Sequence, residues 1–561
     1  MTVTPPPLPR SEDTGGDGGD GTATVPAARA ATGAGGGVRA AASRGFLARA
    51  ALVTAVLSAA GSLLGLVRDQ SLARLFGAGS DTDAFLVAWT VPEFAATLLI
   101  EDGLAFALVP AFSAALSRRA QGATGDPVRS LVTGTLPRLA FAFAAVCALV
   151  AGAAPQLVQV LAPGLPDPRL AADCTRLTAT CVLSFGLAGY CSAVLRAHGR
   201  YVAPAAIYVA YNAGIVASMF LLGGAWGVRS AAAGVAVGGC LMVAVQVPAL
   251  WKQLRTGLRP PAVTGGAAAG RPMDLALVAS VLLFALCRQS QVLIERFLAS
   301  PLPAGAISHL NYAQKVAQIP MTLSLMLCTV TFPVVARALA DGDPERARDR
   351  VERDLAVVSC LVLLGTATVI ACAPQIIGLL FERGAFTAAD TAATARVMRV
   401  YALGLLGQAL VGALVRSYFS GVRPVWYPLT AMTAGVVATS WIGAAAVGPW
   451  GVTGIAAANA AGITVTAALL LAGTGRCGVP LRVRRVLTET SRPLRAAVVA
   501  TAAGVFAASL PRSAAAGLLS GVLTVTTVHL LLARALGAQG VEPVLGSVRS
   551  VTRRLRHGLS R

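Results

Sequence analysis

The sequence predicts an all-α polytopic membrane protein with about 14 transmembrane helices, and three observations lead to this fold class. Of the 561 residues, 55% are hydrophobic and only 13% are charged, whereas a soluble domain has about 25% charged residues. Apolar stretches of 18 or more residues recur along almost the whole chain, and each is long enough to cross a hydrocarbon core about 30 Å thick. The net charge of +21 comes from basic residues in the short segments between these stretches, as in cytoplasmic loops. This pattern excludes a conventional soluble enzyme and argues against nucleic-acid binding.

The first segment, residues 1–43, is rich in Gly, Pro, Ala and Thr and lacks the apolar residues of a core. Such a composition predicts a disordered tail. The apolar stretch that follows begins near Phe46, which is too far into the chain, and runs too long, for a signal peptide. The last segment, residues 541–561, is basic. We expect both tails to be cytoplasmic.

Fourteen apolar spans are predicted between the tails, and the second of them, which begins near Ala84, looks long and broken. Spans one to six form an N-lobe over residues 44–256, spans seven to twelve form a C-lobe over residues 257–475, and spans thirteen and fourteen occupy residues 476–540. An even number of spans places both termini on one side. The even-numbered loops and the C-terminal tail hold about 28 Arg and Lys against about 8 in the odd-numbered loops, which predicts that both termini are cytoplasmic.

An internal repeat relates the two lobes. The segment "APQLVQVLAPG" at Ala154 is similar to "APQIIGLLFERG" at Ala373, and "WGVRSAAAG" at Trp226 is similar to "WGVTGIAAA" at Trp450. A third pair, "LRAHGRYVAP" and "VRSYFSGVRP", lies between them, and the three offsets are 219, 220 and 224. Such a nearly constant offset indicates a tandem duplication. Two lobes of this kind bind substrate near the membrane midplane and work by alternating access, so the repeat predicts a transporter.

The ten cysteines and four histidines form no constellation that would carry chemistry. The cysteines include no CxxC pair and lie mostly within apolar spans, so we interpret them as small buried hydrophobic residues. The histidines are scattered and lack the spacing of metal ligands. The sequence therefore predicts no enzyme, no metal and no cofactor, and it leaves open whether transport is coupled to an ion gradient or to the membrane potential.

Charged residues within the spans are the candidates for a substrate site. A charge near the centre of a bilayer costs about 2.5 to 3.5 kcal/mol on insertion scales, so it persists mainly where it faces a wet cavity or a partner. The charged residues cluster in the first two spans of each lobe, where they can meet at one central cavity. They are Arg68 and Asp69 in span one, Asp83, Glu93, Glu101 and Asp102 in span two, Arg288, Glu295 and Arg296 in span seven, and Lys315 in span eight.

Structural roles remain open for several of these residues. Arg68 and Asp69 can simply pair with each other or fix the end of the helix. Glu101 and Asp102, next to Gly103, can mark a helix break that the cavity solvates. Lys315 is one of only two lysines and lies in a span that lacks other charge, so we expect it to have an anionic partner.

Three segments resemble the MurJ (MviN) family of lipid II flippases, within the multidrug/oligosaccharidyl-lipid/polysaccharide exporter superfamily. They are "GLVRDQSLARLFGAGSDTDAFLVA", "LASPLPAGAISHLNYAQKVAQIP" and "LFERGAFTAADTAATARVMRVYALGLLGQALV", and the resemblance covers about residues 45–540. It implies fourteen spans, with a cationic cavity between two lobes that receives the pyrophosphate and sugars of an undecaprenyl-linked peptidoglycan precursor. It also implies that the lipid tail lies in an outer groove by the last two spans, and that no covalent bond is made or broken.

The resemblance carries over to five charged residues. Arg68 and Asp69 match the family's "RD", Asp83 matches the Asp of "TDAF", and Glu101 matches the Glu of "AEG". Lys315 stands where the family usually has the Arg of "YADR". This change keeps the positive charge but gives up the bidentate geometry of a guanidinium.

Three cations of the family pattern are missing. Ser62, Ala96 and Thr97 stand at the positions of family arginines, and Glu93 replaces an Asn. Two arginines of span seven are candidates to supply the missing charge. With them, the predicted cavity residues are Arg68, Asp69, Asp83, Glu101, Arg288, Arg296 and Lys315.

These departures leave several functions open. The first is a flippase that moves lipid II from the inner to the outer leaflet. The alternatives are a flippase or exporter of another lipid-linked saccharide for exopolysaccharide assembly, a transport-inactive membrane scaffold in cell-wall synthesis, and a cation-coupled efflux pump for small amphiphiles. Arg68 and Lys315 favour transport of an anionic lipid over a scaffold. The predicted partners are this substrate, the membrane, and proteins of cell-wall or polysaccharide synthesis.

Overall fold

The computed structural model describes residues 35–101, 103–122, 126–256, 275–325, 335, 337–338, 341–419, 425–477 and 479–542. Asp102 and most of both predicted tails lie outside the described residues; the part of the first tail that is described, from residue 35 on, is helical. The chain divides into a first unit, Met1–Leu52, and a second unit, Val53–Arg561. The described part of the first unit is the beginning of one helix, and the following account concerns the second unit.

Every regular element in the described residues is a helix, as the composition predicts, because a chain in lipid must satisfy its backbone hydrogen bonds internally. The helices before the gap at 257–274 are α1 (Gly35–Phe76), α2 (Ser80–Ala88), α3 (Thr90–Ala95), α4 (Gly103–Ala120), α5 (Pro127–Gly152), α6 (Ala154–Leu161), α7 (Pro168–Ala197), α8 (Val202–Trp226) and α9 (Arg229–Thr256). We call residues 53–256 the N-terminal half.

The helices after the gap belong to the C-terminal half, residues 275–542. They are α10 (Leu275–Ala299), α11 (Ala306–Ala317), α12 (Pro344–Ala371), α13 (Ala373–Phe381), α14 (Ala388–Ala402), α15 (Leu405–Tyr418), α16 (Tyr427–Cys477), α17 (Val483–Ser509) and α18 (Ala514–Ala535). The long helix α16 is interrupted at Gly451, whose φ of 54° and ψ of −134° are not helical.

The polytopic membrane fold is confirmed. The described residues include 10 helices that are long and apolar enough to cross a membrane, or up to 11 if the pair α14 and α15, bent by 47°, counts as one span. A hydrophobic core continues through both halves, from Leu72 and Phe85 in the N-terminal half to Tyr312 and Phe381 in the C-terminal half.

The second predicted span is broken, as the sequence indicates. Helix α2 ends at Ala88, α3 ends at Ala95, and a π-helical turn, Ala96–Glu101, precedes α4. Such π turns are rare and occur frequently at functional sites. The turn lies against α7, where Gly189 allows a close approach: a Cβ at this position would lie 2.0 Å from the carbonyl oxygen of Leu99.

We expect Gly189→Ala to lower the free energy of unfolding by about 1 to 3 kcal/mol, the usual cost of overpacking a close contact. The opposing atom belongs to the backbone of the π turn and cannot rotate away. Gly224→Ala is the matched control, since a Cβ at Gly224 in α8 has no atom within 4 Å. Thermal unfolding of the purified protein in detergent measures both variants. Equal unfolding temperatures of the two variants would mean that α7 does not approach the π turn this closely.

Candidate functional site

Arg68 and Asp69, near the end of α1, form the centre of the candidate site. The Arg68 guanidinium donates from Nε and Nη2 to Oδ1 of Asp69, at 3.0 and 2.8 Å. Its Nη1 donates to Oδ1 of Asn212 at 3.1 Å. The guanidinium carbon also lies 4.4 Å from the ring centroid of Trp89, which is the geometry of a cation–π contact. Arg68 is therefore held in one position by three neighbours.

Asn212 is itself oriented by the backbone. Its Nδ2 donates to the carbonyl oxygens of Gly61 and Tyr208, at 3.1 and 3.0 Å, so its Oδ1 faces Arg68. The residue is buried in α8. The sequence analysis did not single out Asn212 or Trp89, although a buried amide within an apolar helix needs a partner and was a signal for the first of them.

Lys315 brings a second cation to Asp69 from the C-terminal half. Its Nζ lies 3.3 Å from Oδ2 of Asp69, and 5.7 Å from the ring centroid of Trp89. The side chains of Arg68, Asp69 and Lys315 are 13%, 9% and 29% exposed. Two cations around one carboxylate leave a single positive charge, and in a low-dielectric environment that charge attracts an anion strongly.

The space beside this group is narrow. Arg68, Asp69 and Lys315 line it together with apolar and aromatic side chains of the N-terminal half. These other lining residues are Leu72, Phe85, Leu86, Trp89, Ile215, Met219 and Ala231. We call Arg68, Asp69, Lys315, Trp89 and Asn212 the cationic cluster.

Arg296 in α10 forms a second contact between the halves. Its Nη2 lies 2.7 Å from Oε2 of Glu93 in α3, and its Nη1 donates to the hydroxyl of Thr90. Arg296 is only 3% exposed. The preceding residue, Glu295, is also buried and accepts a hydrogen bond from Asn459 in α16.

Asp83 lies in the first turn of α2, and the structure uses its carboxylate to cap α11. Oδ2 accepts from the backbone N–H of Gly305 at 2.7 Å, and Oδ1 accepts from the backbone N–H and hydroxyl of Ser308 at 2.8 and 2.5 Å. The first amides of a helix lack intrahelical acceptors, so Asp83 satisfies donors that would otherwise be unpaired.

Two more contacts join the halves at the same end. The N–H of Ala385 donates to the carbonyl oxygen of Arg74 at 2.9 Å, and the N–H of Gly164 donates to the hydroxyl of Ser300 at 3.3 Å. We call this region, where α1 and α10 end, the Asp83 end.

Two predicted residues, Glu101 and Arg288, do not belong to the cationic cluster. Glu101, at the end of the π turn, is exposed and accepts from the hydroxyl of Tyr208 at 3.2 Å. Arg288 is exposed on α10. It precedes Glu295 by seven residues, which is two helical turns, so the two residues share a helix face.

The positions that depart from the family pattern do not supply a cation. The hydroxyl of Ser62 donates to the carbonyl oxygen of Ser58 at 3.2 Å within α1. The hydroxyl of Thr97 donates to the carbonyl oxygen of Glu93 at 3.1 Å, and Thr97 is buried. As for metals, the described residues include no group of three or more His, Cys, Asp or Glu that is placed to hold one.

Comparison with known proteins gives consistent relatives. A profile of the family described as Lipid II flippase MurJ matches residues 72–533. The lipid II flippase MurJ of Burkholderia cenocepacia is 27% identical over 391 residues, which are 67% of this chain and 73% of that protein. The probable lipid II flippase MurJ of Vibrio cholerae is 24% identical over 479 residues, which are 82% of this chain and 88% of that protein.

Solved structures share the fold. An inward closed conformation of the lipid II flippase MurJ is similar with a TM-score of 0.67 at 17% identity, covering 86% of this chain and 98% of that one. An inward-facing multidrug resistance MATE family transporter of the MOP superfamily has a TM-score of 0.60 at 13% identity, covering 76% of this chain and 98% of that one. The family profile matches residues 72–533, which are most of this chain, and the chain therefore belongs to the lipid II flippase MurJ family.

Proposed function

We propose that this chain flips lipid II from the inner to the outer leaflet of the bacterial cell membrane by alternating access. The observation that carries the proposal is the cationic cluster, in which Arg68 of one half and Lys315 of the other share the single carboxylate of Asp69. A pyrophosphate headgroup cannot cross hydrocarbon unaided, because a buried charge needs a partner. The excess positive charge of the cluster supplies that partner, and no covalent step is needed.

We further propose fourteen spans. Within the described residues, ten helices are long and apolar enough to cross a membrane. The break at Gly451 divides α16 into two spans, and the bent pair α14 and α15 forms another. Helix α17 is long enough to cross a membrane although it carries arginines near its start. The fourteenth is the span that the sequence predicts near residue 322, and it lies partly outside the described residues.

Matching local geometry in the two halves supports a parallel repeat of six spans. Asp126 caps the start of α5 and Asp343 caps the start of α12, and in both helices the first residue is Pro. Each of these helices is followed by a short helix that begins with "APQ", α6 or α13. Gly227 and Gly451 each follow a Trp and have similar φ and ψ, 55° and −140° against 54° and −134°. A duplicated six-span unit accounts for all three correspondences.

With both termini in the cytoplasm, α1 runs outward and the Asp83 end lies at the outer face. The contacts of Asp83 with Gly305 and Ser308 then hold the halves together on the outside. Closure at the outer face favours a conformation in which the substrate enters from the cytoplasm. Proteins of cell-wall synthesis are the partners that such a function requires, because the flipped precursor must be consumed at the outer face.

A second candidate function is the flipping of another lipid-linked saccharide. It is favoured by Ser62, Ala96 and Thr97, which place no cation where the family pattern has arginine. The pyrophosphate-binding role of the cationic cluster is common to both candidates. They differ in the sugar that the rest of the cavity accepts.

Expression of this chain is expected to rescue the growth of a bacterial strain depleted of its own lipid II flippase. Growth after depletion measures the rescue, and detection of the protein in the membrane fraction establishes that it is present. An empty vector and the strain's own flippase are the controls. Absence of rescue by membrane-inserted protein would contradict lipid II flipping and favour the other lipid-linked saccharide.

A further inference from the structure

The ion pair of Glu93 and Arg296 joins the two halves within a buried environment. The distance from Nη2 to Oε2 is 2.7 Å, and the Arg296 and Glu93 side chains are 4% and 22% exposed. The same guanidinium also donates to Thr90, three residues before Glu93. One cation of α10 is thus bound twice by a single turn of α3.

Arg296 is anchored on its own side as well. Its neighbour Glu295 accepts from Asn459 of α16, which belongs to the same half. If the halves separate at this level, the contact of Glu295 with Asn459 can persist, whereas the contact of Arg296 with Glu93 must break. The pair therefore opposes separation of the halves and is broken when they separate.

Breaking this pair leaves the buried Arg296 guanidinium without its carboxylate partner, which is strongly unfavourable in a region of low dielectric. A guanidinium does not lose its proton in a protein, so Arg296 needs another anion when Glu93 leaves. Thr97 lies next to Glu93, since its hydroxyl donates to the Glu93 carbonyl oxygen. This is the stretch in which the family pattern has arginines and this chain has none.

We propose that Glu93 and Arg296 form a latch between the halves, and that Arg296 becomes a substrate-binding cation when a phosphate group of the substrate displaces Glu93. Glu93 is then an internal competitor that holds the cation until an anionic ligand arrives. The second part of this inference rests on the proposed function, because it requires a phosphate-bearing substrate. The latch itself does not.

Hydrogen exchange at the Asp83 end tests the latch without any substrate. In Glu93→Gln, the backbone amides of Gly305 and Ser308, which Asp83 accepts from, are expected to exchange at least about tenfold faster, the effect of losing one charge-assisted contact. Mass spectrometry of the full chain in detergent measures the rate. Glu489→Gln is the matched control, because it removes an Arg–Glu pair of the same 2.7 Å length within the C-terminal half.

The exchanged pair Glu93→Arg with Arg296→Glu keeps the attraction and is expected to return the rate towards that of the unmodified chain. Unchanged exchange in Glu93→Gln would overturn the latch. An equal increase in Glu489→Gln would overturn it too, because the effect would then be general loosening.

Farnesyl pyrophosphate is the probe for the anion-binding step, with farnesol as the uncharged control. Glu93→Gln is expected to bind the pyrophosphate about tenfold more tightly, since the competitor is gone, and Arg296→Gln about tenfold more weakly. Farnesol binding should not change. Equal pyrophosphate affinity in the two variants would overturn the role of Arg296. If the unmodified chain does not rescue the depleted strain but exchange in Glu93→Gln is still faster, the result supports the latch and contradicts only lipid II flipping.

Discussion

Replacing Arg68 by alanine is expected to abolish the rescue of a strain depleted of its lipid II flippase. The substitution removes the hydrogen bonds to Asp69 and Asn212 and the contact with Trp89. Lys315 and Asp69 then neutralise each other, so the cationic cluster has no positive charge left for a pyrophosphate. Loss of one charge-assisted contact costs about 1.5 to 3 kcal/mol, or about 10- to 150-fold in affinity. Growth after depletion measures this effect.

Two further variants separate charge from geometry. Arg68→Lys keeps the charge but lacks the planar fork that binds Asp69 through two nitrogens and Asn212 through the third, so partial rescue is expected. Arg74→Ala removes a charge from an exposed position of the same helix, and it should rescue like the unmodified chain. Full rescue by Arg68→Ala would contradict the cationic cluster as the substrate site.

The sequence predicts the fold class and part of the site for clear physical reasons. Spans of apolar residues identify the membrane helices because hydrocarbon excludes unpaired polar groups. The pairing of Arg68 with Asp69 is local and was one of the roles that the sequence left open; the structure shows this ion pair with its hydrogen bonds. The expectation that Lys315 needs an anionic partner is also confirmed, and that partner is Asp69. A costly buried charge implies a partner even before the partner is known.

Contacts between distant segments could not be predicted in the same way. Asn212 lies 144 residues from Arg68, and Arg296 lies 203 residues from Glu93. Their pairing depends on how the helices of the two halves pack, which periodicity does not specify. Asp83 illustrates the same limit: its position within "TDAF" singles it out, but only the fold places its carboxylate at the start of α11.

Replacing Asp83 by alanine is expected to release the Asp83 end and to abolish rescue. Asp83 is 3% exposed, and without it the amides of Gly305 and Ser308 lose their acceptor. Each buried donor left unpaired costs about 1 to 3 kcal/mol, so the conformation in which the halves meet at this end loses population. Hydrogen exchange of these two amides should accelerate by more than about tenfold.

Asp81→Ala is the matched control for this prediction, because Asp81 occupies the same first turn of α2 but is exposed. It should leave both rescue and exchange unchanged. Asp83→Asn keeps one acceptor oxygen and should fall between the two, since Asn also caps helices. Ser308→Ala removes only the hydroxyl donor at 2.5 Å and leaves both amide contacts, so its effect should be smaller than that of Asp83→Ala.

Fast exchange with full rescue in Asp83→Ala would mean that the cap stabilises one conformation but is not needed for the transport cycle. Slow exchange in that variant would mean that other contacts of this end, such as Ala385 with Arg74, hold the halves together without Asp83.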